Sequence, residues 1–209
     1  MKIGLVYAMT GEIESLLTQE NAQPLQTVAG VPFYRIRPDV IACAGGVSKV
    51  NAAMATQLLI SLYQPDLVLN AGVAGCFEDM PIGSIVLAEG FLQHDVDTSA
   101  LGDPVGLVST VNRVQFPTSD LDRAKAAMDR VGVPYRTGWV ATGDWSPPTP
   151  PGPIGSPTPS TRCCAIWRAA PTPRCVCATG CPSCPSSPCP TVCSSTTTLC
   201  SISQPPCGT

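Results

Sequence analysis

The chain breaks in character at Trp145, and that break limits what it can fold into. All 15 Asp and Glu residues lie before Trp145; from Ser146 onward there is no acid and no lysine, and Arg162, Arg168 and Arg174 are the only charges. The same stretch of this 209-residue chain holds 15 of the 23 prolines and 10 of the 12 cysteines. Proline fixes φ and removes a backbone donor, so a segment this rich in it, with few large apolar groups, has little means of building a core. The expected organisation is an α/β domain over 1–145, incomplete at its C-terminal end, and a Pro/Cys-rich tail over 146–209 that is disordered or poorly packed. A net charge of −3 gives no electrostatic reason to expect nucleic acid or an anionic membrane as partner. The apolar runs are too short to span a bilayer. The opening MKIGLVYAM reads as a first strand rather than a secretory signal, which places the expected location in the cytoplasm.

Up to Trp145 strands and helices alternate. KIGLVYA (Lys2–Ala8) predicts a buried strand, and GEIESLLTQ a helix with acids in its first turn, where the helix dipole favours them. VPFYRIR and VIACAGG predict two more strands. Ser48–Tyr63 predicts a long Ala-rich helix with Ser48 as N-cap. Asp66–Gly75 reads as one strand ending in small residues, and GSIVLAEGFLQHDVD continues the sheet. SDLDRAKAAMDRVG predicts a helix capped by Ser119 and stopped at Gly132, and YRTGWVATGDW a last strand. This alternation implies a mixed, mostly parallel central sheet flanked by helices. Ligands of such sheets bind at the carboxyl ends of the strands, so the loops after Ala8, Ala44, Asn70 and Thr142 are the places to look.

Those loops carry a pattern. Glu12 follows the first strand in AMTGEIE; AGGVSKVNAA is a Gly-containing strand-to-helix turn whose N–H groups can cradle an oxyanion or hydroxyls; NAGVAG is a second small-residue turn; ATGDW is a third. Each Gly turn alone is weak, because αβ units need such turns anyway. In this order and at these spacings, Lys2–Glu12, Gly45–Ala53, Asn70–Gly75, His94–Asp97 and Thr142–Asp144 resemble the nucleoside phosphorylase/hydrolase superfamily, and within it the 5′-methylthioadenosine/S-adenosylhomocysteine nucleosidases.

The resemblance implies hydrolysis of the N-glycosidic bond of an adenine nucleoside, with no metal and no organic cofactor, by a homodimer. An oxocarbenium-like transition state and a poor leaving group call for a carboxylate that positions water and an acid that protonates the base. The resemblance gives Glu12 the first role; the plain alternative is an acid serving the helix dipole. It puts Gly46, Val73, Ala74 and Gly75 along the ribose and water site through their backbone, against a plain reading as tight turns. His94 is the sole histidine, so a Ser-His-Asp triad is poorly supported; His94, Asp95 and Asp97 read as structural, with Asp97 equally a turn residue.

Three pieces of that chemistry are absent. The family has an aromatic residue after the GD turn, a DMEG segment whose Glu binds the ribose, and a later SD pair whose Asp is the general acid. Here Ser146 replaces the aromatic residue, and nothing after it is acidic. The tail is read as the family's own C-terminal third in a shifted frame. Trp-Phe-Ala written TGG TTC GCN loses one T and becomes TGG TCG CCN, matching Trp145–Pro147. Cys163–Arg168 written TGC TGT GCG ATA TGG AGG gives, two bases later, Leu-Cys-Asp-Met-Glu. The lost Glu then spans Trp167 and Arg168, and the lost Asp spans Pro190 and Thr191. The alternatives are a thiolate metal site, since Cys175–Cys184 contains C-x-C and C-x₂-C spacings but no His, and a disulfide scaffold, which conflicts with a cytoplasmic body.

Overall fold

The computed structural model describes residues 1–76 and 80–144, together with the strand backbones of 162–164 and 196–203. Eleven strands form one mixed sheet: β1 Ile3–Tyr7, β2 Gln23–Val28, β3 Val31–Arg37, β4 Val40–Ala44, β5 Leu67–Asn70, β6 Val73–Cys76, β7 Ile85–Gln93, β8 Gln115–Pro117, β9 Arg136–Thr142, β10 Arg162–Cys164 and β11 Thr196–Ser203. The helices are α1 Thr10–Gln19, α2 Lys49–Tyr63 and α3 Leu121–Val131. Across the sheet the strands run β2-β3-β4-β1-β5-β11-β6-β10-β9-β7-β8. Parallel pairs β4–β1–β5 and β9–β7 put the loops after β1, β4, β5 and β7 at carboxyl ends. Antiparallel pairs form the β2–β3–β4 edge and the β7–β8 edge.

Alternate residues of β1 serve opposite faces, as strand geometry requires. Val6 packs with Phe33, Cys43, Leu59 and Val68 beneath α2, and Leu5 and Tyr7 join Ile13, Ile36 and Ala42 beneath α1. α2 opens on Ser48, whose Oγ accepts the Asn51 N–H at 3.3 Å, so the predicted cap holds. α3 ends at Gly132 in the left-handed region, as expected (φ 68°).

Four expectations change. Asp66–Gly75 is divided into β5 and β6 by a two-residue interruption at Ala71–Gly72, although both parts keep one register against β11. Asp120, not Ser119, is the N-cap of α3: its carbonyl accepts the Ala124 N–H at 3.1 Å, with φ 57°, a left-handed conformation that Asp tolerates. β2 adds an edge strand that the sequence did not predict; its side chains are nearly all exposed and it contains Pro24, so it lacks the apolar alternation of a core strand. The tail, expected to lack regular elements, contributes two strands. β10 lies between Pro159 and Pro171 and β11 between Pro190 and Pro205, the longest proline-free intervals after Trp145. The β11 sequence TTTLCSIS is rich in β-branched residues, which suit a pleated surface. β11 pairs with β5 and β6 in one continuous antiparallel register on one side and with β7 in parallel on the other, and so joins the two halves of the sheet. The rest of the tail, including Cys175–Cys184, lies outside the described residues.

Leu59 is fully buried between α2 and the sheet. Leu59→Ala is expected to cost about 2–5 kcal/mol of stability, the usual range for opening a core cavity of that size; urea denaturation monitored by circular dichroism measures it.

Candidate active site

Two hydrogen-bond networks stand at the carboxyl ends of the strands. The first surrounds Glu12. α1 starts immediately after β1, which carries Glu12 one turn into the helix. From there its carboxylate reaches back: Oε2 accepts the N–H groups of Ala8 and Met9, both at 3.0 Å. Oε1 accepts the N–H of Val73 at 3.0 Å, from a residue 61 positions away. The chain approaches closely at Gly72, where a Cβ would lie 3.0 Å from Oε1. Asn70 Nδ2 and the Ala71 N–H both donate to the Val6 carbonyl, at 3.0 and 3.2 Å, and fasten the end of β5 to β1. Glu12 thus satisfies the N-cap of its own helix and also ties β1 to β6, which a plain dipole acid would not do.

The structure brings the other expected site residues to this end of the sheet in different ways. Gly46 follows β4 with φ +93°, a conformation that favours glycine, and its N–H donates to Ala8 O at 2.9 Å. The Gly45 N–H donates to Tyr7 O at 2.8 Å, so these two donors of the turn are engaged with β1. Val73 is about half exposed, Ala74 is buried, and Ala74 and Gly75 pair with the backbones of β11 and β10 respectively. Tyr7, beside Glu12, has its phenol raised above its ordinary value by burial and by the charge of Glu12.

The second network runs through residues that the sequence marked as structural or did not single out. Lys49, the first residue of α2, donates from Nζ to Asp95 Oδ1 at 2.7 Å and to Gln93 Oε1 at 3.0 Å. The main-chain N–H of the same lysine donates to Asp144 Oδ1 at 2.8 Å. The Asp144 N–H donates to Asp95 Oδ2 at 2.8 Å and closes the circuit. Gly143 lies so close to His94 that a Cβ there would be 2.5 Å from Nε2. Asp97 stands apart: its Oδ1 accepts the Ser99 N–H at 2.9 Å, which makes it the turn residue that was one of its two readings. The quoted motifs already contained Lys49 and Asp144, but only the fold reveals that they meet.

Ser48, between the two networks, has φ 105° and ψ 155°. A non-glycine residue held there stores on the order of 1–3 kcal/mol of strain, a feature that clusters at functional sites. Asn51 braces it twice, through its N–H to Ser48 Oγ and through Nδ2 to Val47 O at 2.6 Å.

Among the described residues, no group of three or more His, Cys, Asp or Glu is placed to hold a metal ion. Cys43 is buried, and desolvation pushes its thiol up to about 12. No helix among the described residues is long and apolar enough to cross a membrane.

Comparison with known proteins agrees with this arrangement. Residues 2–145 match the Phosphorylase superfamily, and the chain belongs to that family. It is similar to the 5′-methylthioadenosine/S-adenosylhomocysteine nucleosidase of Shewanella loihica, at 37% identity over 150 residues, covering 69% of this chain and 65% of the relative. Among solved structures it is similar to a Helicobacter pylori 5′-methylthioadenosine/S-adenosylhomocysteine nucleosidase mutant with 5′-methylthioadenosine in the active site. That match has TM-score 0.64 and 27% identity, and covers 69% of this chain and 65% of the other. A Colwellia psychrerythraea nucleosidase in complex with adenine matches with TM-score 0.61 and 32% identity, covering 69% of this chain and 63% of the other. The chain thus spans about 65% of the length of the Shewanella relative.

Burial holds His94 below its ordinary value of 6.5, against the pull of Asp95 and with the help of Lys49. Burial works to raise Asp95, but the hydrogen bonds from Lys49 and the Asp144 N–H outweigh it and hold the carboxyl below 3.8. Both depressed values favour the native state at neutral pH. The His94 contribution fades as pH falls from 6.5 through its lowered value, and that of Asp95 fades further into acid. Thermal melts should show stability falling between about pH 7 and 5.5, where His is the side chain that titrates, and His94→Gln should flatten that limb.

Proposed function

We propose that this chain descends from a hydrolytic nucleosidase that cleaves 5′-methylthioadenosine and S-adenosylhomocysteine to adenine and a thioribose, a cytoplasmic step of methionine salvage. We infer further that residues 1–145 retain the water-handling half of its site. The observation that carries this reading is the Glu12 carboxylate held by the N–H groups of Ala8, Met9 and Val73 at the carboxyl end of the sheet. A carboxylate has about four acceptor positions. Three are taken by backbone, which fixes the plane of the group and leaves one to orient a water for attack at the anomeric carbon. Gly46 and the Val73–Gly75 segment would line the ribose and water site beside it.

Water rather than phosphate as nucleophile fits the second network. Phosphate recognition needs a cation whose donors are available. Lys49, the cation at the N-terminus of α2, already directs its ammonium to Asp95 and Gln93. A phosphorylase reading of the same fold therefore has less to support it.

The other half of the chemistry calls for carboxylates that the tail cannot supply. Protonation of the leaving adenine and anchoring of the ribose are assigned in the family to acids beyond residue 145, and this chain has none there. A one-base shift at the Trp145 codon accounts for their loss and also for the Trp145–Pro147 junction. General acid catalysis typically supplies about 10²- to 10⁴-fold, and lost substrate binding multiplies that.

Adenine release from 5′-methylthioadenosine tests the reading in three proteins: the chain as it stands, a form with one base restored at the Trp145 codon, and that form with Glu12→Gln. Turnover is expected only in the second. Robust turnover by the first would overturn the reading of the tail; full activity in the third would overturn the role of Glu12. Circular dichroism must accompany the third, because one nitrogen of the new amide would face a backbone N–H. The family's homodimer should assemble poorly from the unrestored chain, and a stable, monodisperse dimer in light scattering would contradict that.

A further inference from the structure

The strained turn before α2 and the Lys49 circuit are adjacent, and one explains how the other persists. The turn Gly46–Ser48 holds φ +93° at Gly46 and φ 105° at Ser48. Its leading side is fastened to β1 by the Gly45 and Gly46 N–H groups on Tyr7 O and Ala8 O. Its trailing side would relax unless something fixed the first peptide of the helix. Asp144 does so by accepting the Lys49 N–H, and Asp144 is itself held through its own N–H by Asp95. The remaining oxygen of Asp95 binds the ammonium of the same lysine.

We propose that Lys49 is a positioning residue: gripped at both its main-chain N–H and its ammonium, it closes a latch that keeps the Gly46–Ser48 turn in its high-energy shape against the end of β1. The consequence reaches Glu12 through Ala8, whose carbonyl accepts the Gly46 N–H and whose own N–H donates to the Glu12 carboxylate. Three elements are bound into the latch: α2 through Lys49, the end of β7 through Gln93 and Asp95, and the turn after β9 through Asp144. The charged or titratable groups facing Asp95 are Lys49, His94 and Asp144. The inference rests on the nucleosidase reading only in naming the Glu12 side as the substrate side.

A thermal-unfolding cycle on the full chain tests it without substrate. Ser48→Gly removes the strain and forfeits only a small part of the cap. In the otherwise native chain it should raise Tm by about 2–4 °C, the shift that roughly 1 kcal/mol produces in a protein of this size. In a Lys49→Met background the turn is already relaxed, so the gain should shrink to less than half. Lys49→Arg, which can still bridge Asp95 and Gln93, should restore the full gain. Should Lys49→Met fail to fold, Asp95→Asn carries the same cycle, and the gain should again shrink. An unchanged gain in the Lys49→Met or Asp95→Asn background, or no gain in the native chain, overturns the proposal. The two readings fail separately: an inactive frame-restored protein would count against the nucleosidase and not against the latch, and an additive cycle would count against the latch alone.

Discussion

Three backbone N–H groups from two distant parts of the chain converge on the carboxylate of Glu12, and the site depends on that convergence. Ala8 and Met9 come from the end of β1, and Val73 from the start of β6. A side chain that serves as N-terminal acid of its own helix and as tether between strands fixes the angle at which α1 leaves the sheet. Gly72 lies against the carboxylate, and any side chain at residue 72 would press on Oε1.

The legible part of the sequence was local. β1, β3, β4, α1, α2 and the end of α3 follow from apolar periodicity, a Ser cap and a Gly stop, signals that depend on neighbours a few residues apart. What stayed hidden was set by partners far along the chain. The Val73 contact of Glu12 spans 61 residues and the Lys49–Asp95 pair spans 46, so neither leaves a trace in local spacing. Asp66–Gly75 looks like one apolar strand because nothing local marks the interruption at Ala71–Gly72, next to which the Val73 N–H meets Glu12. β2 was hidden for the opposite reason: an edge strand needs little apolar surface and tolerates proline, so QPLQTV carries no alternation to detect.

Glu12 became a candidate through a motif, but its geometry distinguishes it from a plain helix acid. A dipole acid needs only to sit in the first turn. Glu12 uses both oxygens, one on its own helix start and one on another strand. Asp97 shows the contrast: its carboxylate meets Ser99, two residues ahead, and organises a turn. Sequence position ranked the two acids alike as local features; the distance their oxygens span separates them.

The tail divides fold from function along the same line. Sheet ladders are made of backbone, and pairing asks for proline-free residues of suitable propensity rather than for particular side chains. A proline-free run of Thr, Leu and Ile can therefore lie with β5 and β6 on one side and β7 on the other, and join the two halves of the sheet. The proposed nucleosidase chemistry asks for what a ladder does not supply: a carboxylate within reach of the leaving base and another on the ribose. No pairing of β10 or β11 can provide them, because the 64 residues from Ser146 to Thr209 contain no Asp and no Glu. A strand position can be filled by an unrelated sequence of suitable propensity, whereas an acid position cannot. The chain can thus keep the architecture of its family and a well-held Glu12 while lacking the acids that the proposed reading would set beside it.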